Sequence, residues 1–146
     1  MWQIPIIHGP NLNLVGEREP SIYGTKSFED FLDELKTEFP QVRIPYHQSN
    51  HEGYLIDWIQ DYRNKANAIL LNPGAYTHTS IAIRDAISAI KIPVVEIHIS
   101  DISSRESFRK HSYIKPVAFF EISGHGLDGY RIALQRLLEV LPTISE

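Results

Sequence analysis

The sequence predicts an α/β fold: a doubly wound, five-stranded parallel sheet with helices on both faces. Three observations point there. Short β-branched runs alternate with amphipathic helical stretches along all 146 residues. Residues 68–71 form a continuous apolar run, as a strand buried on both faces requires. The segments that follow the strands are unusually polar, and in such a sheet they share one carboxyl edge, where ligands bind.

The elements follow in order. Residues 4–8 read as the first strand, with Pro5 as its first true residue and hydrogen bonding from Ile6 onward, because proline cannot join a ladder. Residues 26–39 read as a helix opening at Ser27 with Asp30 three residues on, a capping-box pattern. Its apolar positions Phe28, Phe31, Leu32, Leu35 and Phe39 keep helical spacing, and Pro40 stops it. A second strand is expected over 42–47. A helix over 52–65 is expected to place Leu55, Trp58, Ile59 and Tyr62 on one face, with Ser49 and Glu52 as its cap. Strand three covers 68–71 and a helix 80–90. Strand four covers 93–97, a short helix 104–109, and strand five 116–122. A last helix carries Tyr130, Leu134, Leu137, Leu138 and Leu141. Gly129, near its start, reads as close helix–sheet packing. The whole is flavodoxin-like.

Residues 1–146 are expected to form a single domain, large enough to bury roughly two-thirds of the unfolded surface without a disulfide or metal. A net charge of −4 argues against a dedicated nucleic-acid binder. The absence of cysteine removes thiol chemistry and cysteine-ligated metals, and fits a reducing compartment. With no signal-peptide pattern and no apolar run near membrane length, the expectation is a cytoplasmic protein with no membrane partner. Seven histidines invite a metal reading, but no His-Glu-x-x-His is present, and His47 with His51 spans a strand end and a loop. No phosphate loop or dinucleotide fingerprint occurs. No metal or cofactor is expected.

The polar segments hold the candidate chemistry. The connection at 9–24 far exceeds the usual two to six residues, and long loops in compact domains are usually lids or binding loops. It carries Asn11, Arg18 and Tyr23. A tyrosine acts as a base only when ionised, which at pH 7 costs about 4 kcal/mol from a pKa near 10. One close cation lowers an acid's pKa by roughly one to three units, so one or two arginines could make up most of that. Arg18 can equally pair with Glu17 or Glu19, and Tyr23 can serve as a loop anchor. Arg105 and Arg109, four apart, are expected on one helix face, where they can grip a carboxylate or pair with Asp101 and Glu106. His98 closes strand four with Glu96 on the same side. A carboxylate there favours protonated imidazole and fixes its tautomer, which suits a general acid; a satisfied core histidine is the alternative. Backbone amides of Ile99 and Ser100 could receive an anion. Asn72 and His78 offer hydroxyl-recognising groups. Asp85 follows on the next helix, where a surface charge is the commoner case.

Several motifs together resemble one family. They are Gly-Pro-Asn-Leu-Asn-Leu at 9–14, Arg-Glu-Pro at 18–20, Tyr-Gly at 23–24 and His-Thr-Ser at 78–80. Arg-Asp-Ala at 84–86, Glu-Ile-His-Ile-Ser at 96–100 and Arg-x-x-Phe-Arg-x-His-Ser at 105–112 complete the set. In order and over essentially the whole chain, they look like type II 3-dehydroquinate dehydratase. The resemblance implies a homododecamer of four trimers that converts 3-dehydroquinate to 3-dehydroshikimate and water without metal or cofactor. It implies Tyr23 as base at C2 with Arg18 stabilising tyrosinate. His98 would be the acid at the C1 hydroxyl, held by Glu96, and Asn11 would hold a water against the enolate oxygen. Asn72, His78, Asp85, Ile99, Ser100 and Arg109 would bind substrate, and Arg105 would close over it. Pro5 and His125 depart from the family pattern. Two other classes share the fold: a binding module for a small polyhydroxylated acid or nucleotide, which needs neither Tyr23 nor His98, and a flavin-binding electron carrier.

Overall fold

Prolines divide the first two strands. In the computed structural model, which describes residues 1–17 and 26–144, the chain opens with β1 (Trp2–Gln3) and β2 (Ile6–His8) where one strand was expected. The second expected strand is likewise split into β3 (Val42–Arg43) and β4 (Tyr46–Gln48). The registered pair Ile6 and Tyr46 stands just after Pro5 and Pro45. Proline offers no N–H, so the pairing breaks there and leaves a separate two-stranded ladder, β1 on β3. The ladder does resume at Ile6, whose N–H donates to the Pro45 carbonyl at 2.8 Å. The Pro5 carbonyl is already in use, accepting from the Leu70 N–H at 2.9 Å.

The main sheet adds β5 (Ile69–Asn72), β6 (Val94–His98) and β7 (Phe120–Ser123). All pairings are parallel and the order is β4-β2-β5-β6-β7. The first strand of the main sheet therefore lies inside it, as a doubly wound sheet demands. Strand β7 is shorter than expected, because residues 115–117 around Pro116 turn as a 3-10 helix instead of pairing.

Among the described residues four α-helices cover the faces: α1 (Phe28–Glu38), α2 (Glu52–Tyr62), α3 (Ile81–Ser88) and α4 (Asp128–Ile144). Ser27 caps α1, its Oγ accepting from the Asp30 N–H at 3.1 Å. Ser80 caps α3 in the same way. The cap expected from Ser49 and Glu52 does not form. His51 holds the cap position of α2, and Ser49 Oγ instead accepts from the His51 N–H. Alternation along each strand sends Ile6, Leu70, Val95 and Ile97 against α1 and α4, and Ile7, Leu71 and Val94 against α2 and α3. Leu70 and Leu71 are fully buried, so truncating either to alanine would cost about 2–5 kcal/mol. Gly129 gives the close packing expected: a Cβ there would lie 3.2 Å from Ile122 Cγ2. Among the described residues no helix is long and apolar enough to cross a membrane.

The loops after β2 and β5 lock together at the carboxyl edge. Gly9 donates its N–H to the Asn72 carbonyl at 2.8 Å. A Cβ at Gly9 would sit 2.3 Å from the Pro73 carbonyl oxygen, so no side chain fits. Asn11 follows in the left-handed region at φ 68°, a conformation asparagine tolerates better than most residues.

Candidate active site

A cleft of about 130 Å³ opens at this carboxyl edge. Asn11 reaches it from the loop after β2, and Asn72 and His78 from β5 and the turn that follows. His98, Ile99 and Ser100 come from β6 and beyond, and Arg105 and Arg109 from the next loop. Eight of the twelve site residues expected from sequence thus line one cavity. Glu96 lies directly behind His98. Asp85 does not join them: it is exposed on α3 and lines no part of the cleft. Arg18 and Tyr23 lie outside the described residues, as do residues 18–24 of the long connection expected to form a lid.

The His98–Glu96 pair is the electrostatic centre. His98 Nε2 lies 2.6 Å from Glu96 Oε2. The same oxygen accepts from Thr77 Oγ1 at 2.5 Å and Ser112 Oγ at 2.7 Å. Glu96 is fully buried. Burial alone would raise its carboxyl, but the donors from His98, Thr77 and Ser112 outweigh it and hold the group below its ordinary value. The result is a fixed carboxylate that accepts a proton-bearing nitrogen of His98 and points the ring.

His78 sits on the same wall. Its Nδ1 donates to the His111 carbonyl at 2.7 Å. Burial lowers its pKa, the carbonyl partly offsets this, and the charges of His98 and Arg109 lower it further. The ring is therefore neutral near pH 7 with Nε2 as acceptor, the form that receives a hydroxyl proton. Asn72 is held from behind: its Nδ2 donates to Tyr130 Oη at 3.1 Å, and its Oδ1 accepts from the Gly74 N–H at 3.1 Å.

The two arginines correct the expected geometry. Residues 104–109 are not one helix. Two 3-10 turns, Ile102–Ser104 and Ser107–Arg109, flank Arg105 and Glu106 in extended conformations. Extended backbone at these two residues interrupts the stretch, so a spacing of four does not mean a shared face. Both side chains still line the cleft. Arg105 Nη1 donates to Ser100 Oγ at 3.4 Å. Arg109 Nε donates to Glu106 Oε2 at 2.5 Å, the pairing that sequence had offered as the alternative. Among the described residues, no group of three or more His, Asp or Glu is placed to hold a metal ion.

Thr77 and Ser112 were not assigned roles from sequence. Glu96 itself was the signal, because a buried acidic residue between Val95 and Ile97 must find donors on its own face, more than His98 alone supplies. Which serines or threonines supply them depends on tertiary contacts 16 and 19 residues away.

A family model described as Dehydroquinase class II matches residues 2–138. A 3-dehydroquinate dehydratase of Gloeothece citriformis is 51% identical over 142 residues, covering 96% of this chain and 93% of the relative. The protein named 3-dehydroquinate dehydratase 2 of Pseudomonas aeruginosa is 46% identical over 137 residues, 92% of each chain. The crystal structure of a type II dehydroquinase from Butyrivibrio crossotus superposes with a TM-score of 0.90 at 42% identity, covering 94% of this chain and 97% of that one.

Proposed function

The chain belongs to the class II dehydroquinase family, and on that footing we propose that it dehydrates 3-dehydroquinate to 3-dehydroshikimate by trans elimination through an enolate. The single observation that carries this is the buried His98–Glu96 pair on the wall of a polar cleft. Elimination beside a carbonyl needs one base, one acid and an enolate stabiliser. Tyr23, as tyrosinate favoured by Arg18, takes the C2 proton. The C2–H electron pair becomes the enolate, whose oxygen is met by a water that Asn11 positions. As the enolate collapses, the C1–O bond breaks and the departing hydroxyl takes a proton from His98, leaving as water. Glu96 holds the His98 ring through this transfer. No metal or cofactor enters any step.

Asn72, His78 and the backbone of Ile99 and Ser100 bind the substrate's hydroxyl and carboxylate groups. Arg109 grips the carboxylate, exchanging part of its pairing with Glu106, and Arg105 closes over the ligand. Asp85 is exposed on α3 and lines no part of its own cleft, so in the homododecamer of four trimers its substrate contact would come from a neighbouring copy. One catalytic domain carries out the reaction in the cytoplasm. The reaction serves the shikimate pathway of aromatic amino acid biosynthesis or, with identical chemistry, quinate catabolism.

Tyr23→Phe tests the mechanism, followed by the ultraviolet absorbance of the enone product. The change keeps the ring and removes its only ionisable atom. We expect kcat to fall by orders of magnitude with little change in KM. Near-normal turnover would sink the mechanism.

A further inference from the structure

Among the described residues, two buried side-chain oxygens have no hydrogen-bond partner: Glu96 Oε1 and Glu121 Oε2. They belong to residues that are direct neighbours. Strand β7 pairs with β6 in parallel register, Glu96 opposite Glu121, so both side chains leave the same face of the sheet. Glu96 has committed Oε2 to His98, Thr77 and Ser112. Its other oxygen has no donor, on the sheet face it shares with the neighbouring Glu121. Two ionised carboxylates on adjacent registered positions, each with a dry oxygen, would repel and leave both acceptors unsatisfied. One proton between them removes both costs.

Building on the role proposed above for His98, we propose that Glu121 carries a proton at neutral pH and donates it to Glu96 Oε1, so that the carboxylate orienting the acid is held on both oxygens. Glu121 is thus a positioning residue for His98, acting through Glu96. The charged and titratable groups facing it agree. Burial and the negative charge of Glu96 hold the Glu121 carboxyl above its ordinary value, with Asp101 adding to this and Lys115 and His98 partly opposing it. The ladder position sets the geometry: β7 is the edge strand, so Glu121 can shield Glu96 from water without blocking the cleft, whose lining it does not share.

Carboxyl-carbon NMR of the intact wild-type protein, with glutamate labelled and Glu121→Gln used for assignment, reads the proton directly and needs no substrate. The Glu121 signal is expected to keep its protonated position through pH 7; an ionised Glu121 at pH 7 overturns the proposal. Kinetics supply the positioning readout. Glu121→Leu leaves Oε1 unpartnered and is expected to lower kcat roughly tenfold with little change in KM. Glu121→Gln keeps a donor and is expected to restore most of that loss. Equal losses in the two variants, or none in Glu121→Leu, also overturn it. If Glu121→Leu fails to fold, the wild-type resonance and Glu121→Gln still decide. A chain that failed to dehydrate 3-dehydroquinate would defeat the proposed function, and the NMR result would still stand for or against the shared proton.

Discussion

His8 closes β2 and His98 closes β6, so both stand at the carboxyl edge of one sheet, with 0% and 5% of their surface exposed. Their surroundings separate them. His8 faces α1 and α4, ringed by Phe28, Tyr46 and Tyr130. Its Nε2 lies 2.6 Å from Tyr130 Oη and its Nδ1 3.0 Å from Tyr46 Oη. Because Asn72 donates to Tyr130 Oη, the Tyr130 hydroxyl proton goes to His8 Nε2, and His8 Nδ1–H goes to Tyr46. Every proton in that chain is assigned with the ring neutral. Burial lowers the His8 pKa to about 3, and pushes both tyrosine hydroxyls up. His98 faces the opposite side and meets a carboxylate. One edge of one sheet thus holds a buried histidine that stays neutral at pH 7 among aromatic rings and another hydrogen-bonded to a buried carboxylate, the residue proposed above as the acid. Position and burial are nearly the same, and the partner differs: tyrosine hydroxyls for His8, a carboxylate for His98.

The sharpest way to break this contrast is to truncate each ring. His98→Ala is expected to reduce kcat about 10²- to 10⁴-fold, the usual range for a general acid, with unfolding still cooperative. His8→Ala should instead cost about 2–5 kcal/mol of stability, read from urea midpoints, by opening a core cavity and stranding Tyr130. If His8→Ala removed turnover at unchanged stability, the two histidines would have to exchange descriptions.

A gentler probe is pH. His8 titrates near 6.5 when unfolded and near 3 when folded, so the unfolded chain takes up that proton first. Its stabilising contribution is complete above 6.5 and declines as pH falls toward 3, by up to about 1.4 kcal/mol per unit. Glu96, held below 4.5, also loses its contribution on acidification, but in a lower window. Between about 4.5 and 6.5 the half-exposed His47 and His78, both lowered by burial, add to the His8 slope. Stability of the wild type minus that of His8→Phe isolates the His8 share. Parallel curves for the two proteins would contradict the neutral assignment.

The smallest expected effect joins the two regions. Tyr130→Phe removes the hydroxyl shared by His8 and Asn72. We expect a loss of about 1–3 kcal/mol in stability and a KM raised a few-fold with kcat nearly unchanged, because Asn72 loses its brace. A kcat effect as large as that of His98→Ala would show that the neutral network takes part in chemistry.

Much of this was legible beforehand, and for local reasons. Strand alternation put Glu96 and His98 on one side, and that side is where they meet. The run Ile69–Leu71 is buried on both faces as its composition requires. What was not legible depends on partners distant in sequence. Nothing near His8 announces Tyr130, 122 residues away, and nothing near Glu96 announces Glu121 until the register of β6 on β7 is known. Helical spacing put Arg105 and Arg109 on one helix face, which fails because the backbone at Arg105 and Glu106 is extended. Pro5 was readable as an obstacle, and Pro45, inside the strand expected over 42–47, was an equal one by the same rule, although it was not weighed there.

The contact between Gly9 and Pro73 constrains how this fold can be rebuilt. The loops after β2 and β5 meet backbone to backbone with no room for a single added carbon, and between them they present Asn11, Asn72 and His78 to the cleft. They behave as one interchangeable part in two pieces. Transplanting either loop alone from a relative with a different backbone path would displace the other. Exchanging both together would carry the seam across intact. Recombination that splits the chain between residues 9 and 73 therefore has to respect a junction that appears nowhere in the linear order.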